Sequence, residues 1–258
     1  MGFNLVGFGE ALSSIIDVAR ELYEIPITPA NSYLEKNRAH NYALALAHLY
    51  QREGDPDDVY KSIMLSQEAV AASPQALSIM LEPKGVILQG PRQEVPTVNT
   101  LAARLDERFQ LTGSLADLNY SIELMEKLIE AIPDDDWKDS RAEWQGNIAA
   151  SLLRRYEQDD EEYRSDSDRA VDFARKSMAS ISEHSPERAS ELSALANPLG
   201  RRAEDTGNAA DLDEAIALLR EAMKITPAEH PIHIEIGVNL AMRIFQRSQN
   251  SEDLEHAI

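Results

Sequence analysis

The sequence predicts an all-α fold, a solenoid of antiparallel helix pairs, and three observations carry that prediction. An apolar residue recurs at one point of a helical pattern, at Ile15, Ile63, Ile122, Val171, Ile216 and Ile258, with spacings of 42 to 59 residues. Self-similarity at tens of residues is the mark of a stacked repeat array. Four of the 12 prolines, Pro26, Pro74, Pro133 and Pro227, follow the same helical stretch in different copies, where proline stops a helix because it lacks the backbone N–H and crowds the preceding turn. Aromatic residues are only 6% of the chain, and no long alternating run of Val, Ile or Thr is present to suggest a sheet.

Each repeat is expected to be a helix A followed by a helix B. The chain opens with a half repeat at 10–26, a lone helix B whose slots hold Ser14, Val18, Glu21 and Pro26. A full repeat at about 37–74 carries Leu46, Ala47 and Tyr50 in helix A and Ser62, Ser66, Ala69 and Pro74 in helix B. An irregular insertion is expected at about 75–94, where Pro83, Gly85, Gly90 and Pro91 oppose a continuous helix. The repeat at about 96–133 has Leu105, Asp106 and Phe109, then Ser121, Met125, Leu128 and Pro133. The repeat at about 141–182, with Leu152, Leu153 and Tyr156, is the most divergent: its turn, EQDDEEYRSDSD, is stretched and acidic, and Pro186 lies beyond its slot. The clearest unit, about 190–227, has Leu199, Gly200 and Ala203 followed by Ala215, Leu219, Ala222 and Pro227. A partial repeat at 232–258 follows, with Ala241, Met242 and Phe245 in helix A. Its last segment, Ser251 to Ile258, would open another helix B too short to hold alone, so it is expected to fray. The chain therefore reads as a slice of a longer solenoid.

Residues three or four apart share a helix face, so Leu212, Ile216, Leu219 and Met223, like Leu118, Ile122, Met125 and Ile129, read as core. Aromatic residues recur where a bulky group plugs the contact between helices A and B. Ala203 departs from that pattern and predicts a thinner contact, while Pro198 predicts a kink beside Arg201.

Against the tetratricopeptide (TPR) pattern, L-G-x2-Y and then A-x3-F with a closing proline, Ala215 to Pro227 matches without a gap. The chain resembles TPR repeat proteins over roughly 11–258, interrupted at 75–94. The turns from Gly113 to Ser121 and from Gly207 to Ala215 are longer than the usual one, and the period exceeds the plain repeat of about 34 residues. TGSLADLNYSI and TGNAADLDEAI resemble units of extended fungal TPR arrays, often joined to CHAT or NACHT domains, neither of which is visible in these residues. The resemblance implies a right-handed superhelix with a concave groove lined by helix A.

A net charge of -20, from 25 basic and 45 acidic residues, argues against a chain that neutralises phosphate backbones or lies on an anionic membrane. With no cysteine there is no disulfide framework, thiol nucleophile or thiolate metal site. The opening, MGFNLVGFGEALSSIIDVAR, has no basic residue before Arg20 and no long apolar run, so a cytoplasmic location is the default expectation. Val6 stands where a myristoylation signal beginning at Gly2 wants Ser or Thr.

No catalytic constellation is found: no G-x-S-x-G, no Walker A and no H-E-x-x-H occur. Gly7 and Gly9 begin like a dinucleotide loop, but Leu12 replaces the third glycine. His230, His233 and Glu235 form the only close histidine pair, and Pro231 between them reads as a helix start rather than a metal site. The acidic runs at 134–136 and 159–162 lack the glycine and spacing of a calcium loop. No enzyme activity, cofactor or metal is expected.

Two positions beyond the leucine slot, Arg154, Arg201 and Arg243 occupy the same place in three successive repeats. Asn197 and Asn239 stand one helical turn before Arg201 and Arg243, on the same face. These five residues form the candidate partner-binding groove, suited to a peptide with acidic side chains or a terminal carboxylate. The competing arrangement pairs the arginines with nearby acids such as Glu204 or Glu235. His48 and Glu107 fill the position in the first two full repeats, so the stripe would end there. The expected function is a non-catalytic scaffold or adaptor binding a peptide or protein along helix A, with self-association through uncapped ends. The alternative is a sensor or autoinhibitory arm of a larger signalling protein.

Overall fold

The structure, a computed structural model, describes residues 5–26, 28, 35–73, 76, 95–132, 138–158 and 161–256. Ten α-helices and no strand occur among the described residues. They are α1 (Leu5–Glu24), α2 (Glu35–Glu53), α3 (Pro56–Ala71), α4 (Val95–Thr112), α5 (Leu115–Ala131), α6 (Lys138–Tyr156), α7 (Asp166–Ser180), α8 (Arg188–Thr206), α9 (Ala209–Ile225) and α10 (Pro231–His256). The expected insertion at 75–94 lies outside the described residues, apart from Ala76. The chain divides into two compact units, Met1–Pro133 and Asp134–Ile258.

In the first unit α1 packs on α2, α2 on α3, α3 on α4 and α4 on α5, with a direct contact between α2 and α4. In the second, α6 packs on α7, α7 on α8, α8 on α9 and α9 on α10, and α6 touches α8 as α8 touches α10. Each unit is thus a run of A and B helices in which successive A helices lie side by side.

The turn between A and B follows from local chemistry. Gly113 and Gly207 adopt φ of 71° and 68°, the left-handed conformation that closes a helix and strains any residue with a Cβ. The preceding threonine caps the chain on both sides. Thr206 Oγ1 donates to Arg202 O at 2.7 Å and accepts from Asn208 N at 3.3 Å, and Thr112 repeats both bonds with Arg108 and Ser114. Asn208 then accepts from Ala210 N and starts α9. Gly207→Ala, with nothing near the added Cβ, should cost about 1 kcal/mol from backbone strain alone. A denaturant titration of the variant checks it.

No glycine occupies the corresponding point of α10, where Ser248, Gln249 and Asn250 align with Thr206, Gly207 and Asn208. The helix accordingly runs on from Pro231 to His256, and the expected separate helix from Ser251 does not form. At the other end, α1 begins at Leu5, earlier than the half repeat from residue 10, and continues through Gly7 and Gly9. It stops at Glu24, two residues before Pro26, as α9 stops at Ile225 before Pro227. Pro74 and Pro133 lie outside the described residues.

Helices A and B approach closely where small residues meet. Ser62 Oγ donates to Ala43 O at 2.8 Å and Ser121 Oγ to Ala102 O at 2.7 Å, so each buried hydroxyl is satisfied by an A-helix carbonyl. In the second unit Leu192, Leu195, Leu199 and Leu219 form one buried cluster with Ala196, Ala215 and Ile236. The contact at Ala203 is not left thin, because Leu240 of α10 packs against Ala203, Leu212 and Ile216. The helix α8 runs unbroken through Pro198 to Thr206.

A repeated ion pair latches A to B. Arg108 grips Asp117, Arg155 grips Asp166 and Arg202 grips Asp211, each through Nε and one terminal nitrogen on the two carboxylate oxygens. Arg202 also donates to Asp168 of the preceding helix B at 2.8 Å. The stretched acidic turn before α7 keeps the device and adds the Tyr163 ring, whose centroid lies 4.8 Å from the Arg155 guanidinium carbon. In the first full repeat Asp58 occupies the aspartate position, but Leu49 stands where the arginine would be.

Candidate functional site

Because α6, α8 and α10 are successive A helices, residues at one register of these helices form a row across the second unit. Asn197 and Asn239 meet in that row, with Asn239 Nδ2 donating to Asn197 Oδ1 at 3.5 Å. One turn on, Arg201 and Arg243 converge on the same acid. Arg201 Nη1 donates to Glu204 Oε2 at 2.8 Å, and Arg243 Nη1 donates to Glu204 Oε1. Arg243 also donates to Gln246 Oε1 at 3.1 Å.

Two features of sequence explain this geometry. Gly200 has no side chain, so the Arg243 guanidinium lies across its backbone; a Cβ there would collide with Arg243 Nε and its neighbouring carbons. Glu204 follows Arg201 by three residues and therefore shares its face. The Arg243 side chain is largely buried as a result. Burial pulls Arg201 down, but the hydrogen bond to Glu204 and the charges of Asp205 and Glu204 outweigh it and hold its pKa above the ordinary value.

Arg154 takes the equivalent place on α6, partly buried and itself engaged in a polar interaction. For Arg201 and Arg243 the arrangement found is the competing one, pairing with acids, and the acid is Glu204. The row is a hydrogen-bonding surface whose two guanidinium charges are offset locally.

Beside Arg201 opens a cavity of about 490 Å³ lined by Tyr156, Arg164, Ser167, Asp168, Arg202 and Asp205 among others. The Tyr156 hydroxyl donates to the Asp205 carboxylate, and burial together with that bond raises the tyrosine pKa. In the first unit, the row position on α4 holds Glu107, whose Oε2 lies 2.9 Å from Arg104 Nη1. Burial pushes the Glu107 carboxyl up and the Arg104 guanidinium down, each opposed by the other's charge. His48 at the same position of α2 is exposed.

The histidine pair does local work. His230 Nδ1 accepts from Ile232 N at 3.3 Å, at the start of α10, and His233 Nδ1 lies 3.0 Å from Thr226 O. Among the described residues no group of three or more His, Asp or Glu side chains is placed to hold a metal, and no helix is long and apolar enough to cross a membrane.

No family model matches the chain, and no curated protein does. Solved structures do. A kinesin light chain-like protein of Podosopora anserina with nearly identical TPR-like repeats is 19% identical, covering 88% of this chain and 94% of that one at a TM-score of 0.55. A point variant of that same protein is 18% identical, covering 89% and 95% at 0.56. The fold is a TPR-like helical repeat. BtubC of P. vanneervenii, at 15% identity, matches 98% of this chain and 88% of its own at 0.54. These identities extend the likeness to the TPR-like backbone alone.

The Arg–Asp latch and the role of Gly200 were missed in the sequence. The latch had a signal: an arginine three residues after Leu105, Leu152 and Leu199, and an aspartate four before Ser121, Ala170 and Ala215. Gly200 fills the glycine of the L-G-x2-Y pattern, but the side chain that uses the gap, Arg243, arrives from another repeat.

Proposed function

We propose that this TPR-like chain is a non-catalytic protein-interaction scaffold that takes an extended peptide or protein segment along the A helices α6, α8 and α10. The observation that carries the proposal is the pairing of Asn197 with Asn239 across two adjacent A helices. Stacked carboxamides offer donors and acceptors to a peptide backbone, the groups an extended ligand must satisfy wherever it is buried. Arg201, about a third exposed at its side chain, is the cation that an acidic side chain or terminal carboxylate would share with Glu204. Arg243 acts as a support behind Gly200, and Arg154 extends the row.

Fluorescence anisotropy with labelled heptapeptides tests this, using acidic, neutral and basic sequences with free or amidated C-termini. The acidic peptides should bind more tightly than the basic ones, and Asn197→Ala with Asn239→Ala should weaken them at least tenfold, about 1.4 kcal/mol. Equal binding of all classes, or affinity unchanged by the double variant, refutes the assignment.

A further inference from the structure

Two helices keep an apolar stripe uncovered, and their registers are complementary. Along α1 and the residue that follows it, Ile15, Val18, Leu22 and Ile25 fall three or four residues apart and are 47–58% exposed. On α10, Ile234, Val238, Met242 and Phe245 are similarly spaced and 52–74% exposed. Each helix is already seated by another face. Ile16 of α1 is buried against Ala45 of α2, and Tyr23 donates to Glu68 at 2.7 Å; Ile236 of α10 is buried in the core of the second unit.

The repeat register says what each open stripe fits. Ile15 and Val18 occupy the positions of Ile216 and Leu219 in α9, a helix B that buries them against its own helix A. Ile234, Val238 and Phe245 occupy the positions of Leu192, Ala196 and Ala203 in α8, a helix A that buries them against its own helix B. Among the described residues, then, α1 keeps an open B face and α10 an open A face. We propose that the occupant of each is a second copy of this chain, with α10 of one molecule and α1 of the next completing one A/B pair.

The contact uses different surfaces on the two molecules, so it propagates head to tail rather than closing a two-fold dimer. The growing object is a longer array whose joints repeat the A/B packing inside each molecule. The exposed stripes are also larger apolar features than single scattered surface residues, as expected of an interaction face.

Sedimentation velocity on the 258-residue chain tests the proposal with two exposed substitutions, Val18→Glu and Phe245→Glu. The wild-type chain should form dimers and longer species as its concentration rises. Each variant alone should remain a monomer, since it keeps only one usable face. An equimolar mixture of the two should form a one-to-one dimer and nothing larger, because the intact α10 of one meets the intact α1 of the other. Far-UV circular dichroism matching wild type establishes that both variants fold; Ile15→Glu and Met242→Glu replace either that does not. A wild-type chain that stays monomeric, a variant that still dimerises with itself, or a mixture that stays monomeric overturns the proposal, the first of these leaving the two faces to other partners.

Discussion

Leu199→Ala should destabilise the Asp134–Ile258 unit by about 3 kcal/mol, in the range of about 2–5 kcal/mol typical of a fully buried leucine cut to alanine. Leu199 is completely buried and packs among Leu195, Ala196 and Leu219. Helices α8 and α9 meet at this side chain, and two rigid helix backbones can collapse only partly onto the space it leaves. The loss should appear as an earlier chemical-denaturation midpoint. Met64→Ala, at an exposed position of α3, should stay within about 0.5 kcal/mol of wild type. Equal small losses in both variants would mean that the A/B seam is not the core.

The second large effect concerns the latch. Asp211→Asn keeps the size of the side chain but removes its charge and one acceptor from the Arg202 fork, whose bonds to the two oxygens measure 2.7 and 2.8 Å. A loss of about 2 kcal/mol is expected, below the roughly 3–5 kcal/mol for breaking a fully buried pair, because Arg202 is partly exposed and Asp168 still holds it. Asp58→Asn should behave oppositely although it changes the same repeat position. No arginine stands at the latch position facing Asp58, and burial pushes its carboxyl pKa up, with Asp55 adding to the rise. A raised folded-state pKa means that the ionised form costs the fold, so this contribution weakens as pH climbs through that pKa. The Asp58→Asn variant should therefore gain on wild type between acidic and neutral pH, ending within about 0.5 kcal/mol of it or slightly above. Urea titrations of both variants at acidic and neutral pH decide it. A loss from Asp58→Asn as large as that from Asp211→Asn would show that the arginine is not what makes the aspartate stabilising.

Repeat architecture was readable because it is written in local terms. The isoleucine stripes, the Thr-Gly turns and the closing prolines each act within a few residues, and Ile63, Ile122, Val171 and Ile216 are all buried. What the sequence hid is set between helices. Whether Arg243 meets a ligand or Glu204 depends on the gap that Gly200 leaves in the neighbouring helix A. Ala203 looked like a thin contact because the group that fills it, Leu240, arrives from the next repeat. The continuation of α10 past residue 250 was open to reading, since it follows from the glutamine, Gln249, that stands in the glycine's place.

The arginine row shows how far residue spacing reaches. Register puts Arg201 and Arg243 at one position of neighbouring A helices, but charge placement needs the third partner, and Glu204 pairs with both. Under the proposed reading a partner at this face would meet the Arg201 guanidinium, a carboxamide pair and the Glu204 carboxylate that both arginines share. The proposal therefore expects ligands matched in hydrogen bonding to bind better there than a bare polyanion.

The most direct test is amide hydrogen exchange on the chain with and without the tightest acidic heptapeptide. Binding along the A helices predicts slowed exchange in α6, α8 and α10, centred near Asn197, Arg201 and Asn239, with α7 and α9 unchanged. Protection confined to α7 and α9, or to the first unit, would place the ligand elsewhere and contradict the assignment of the helix A face as the binding surface.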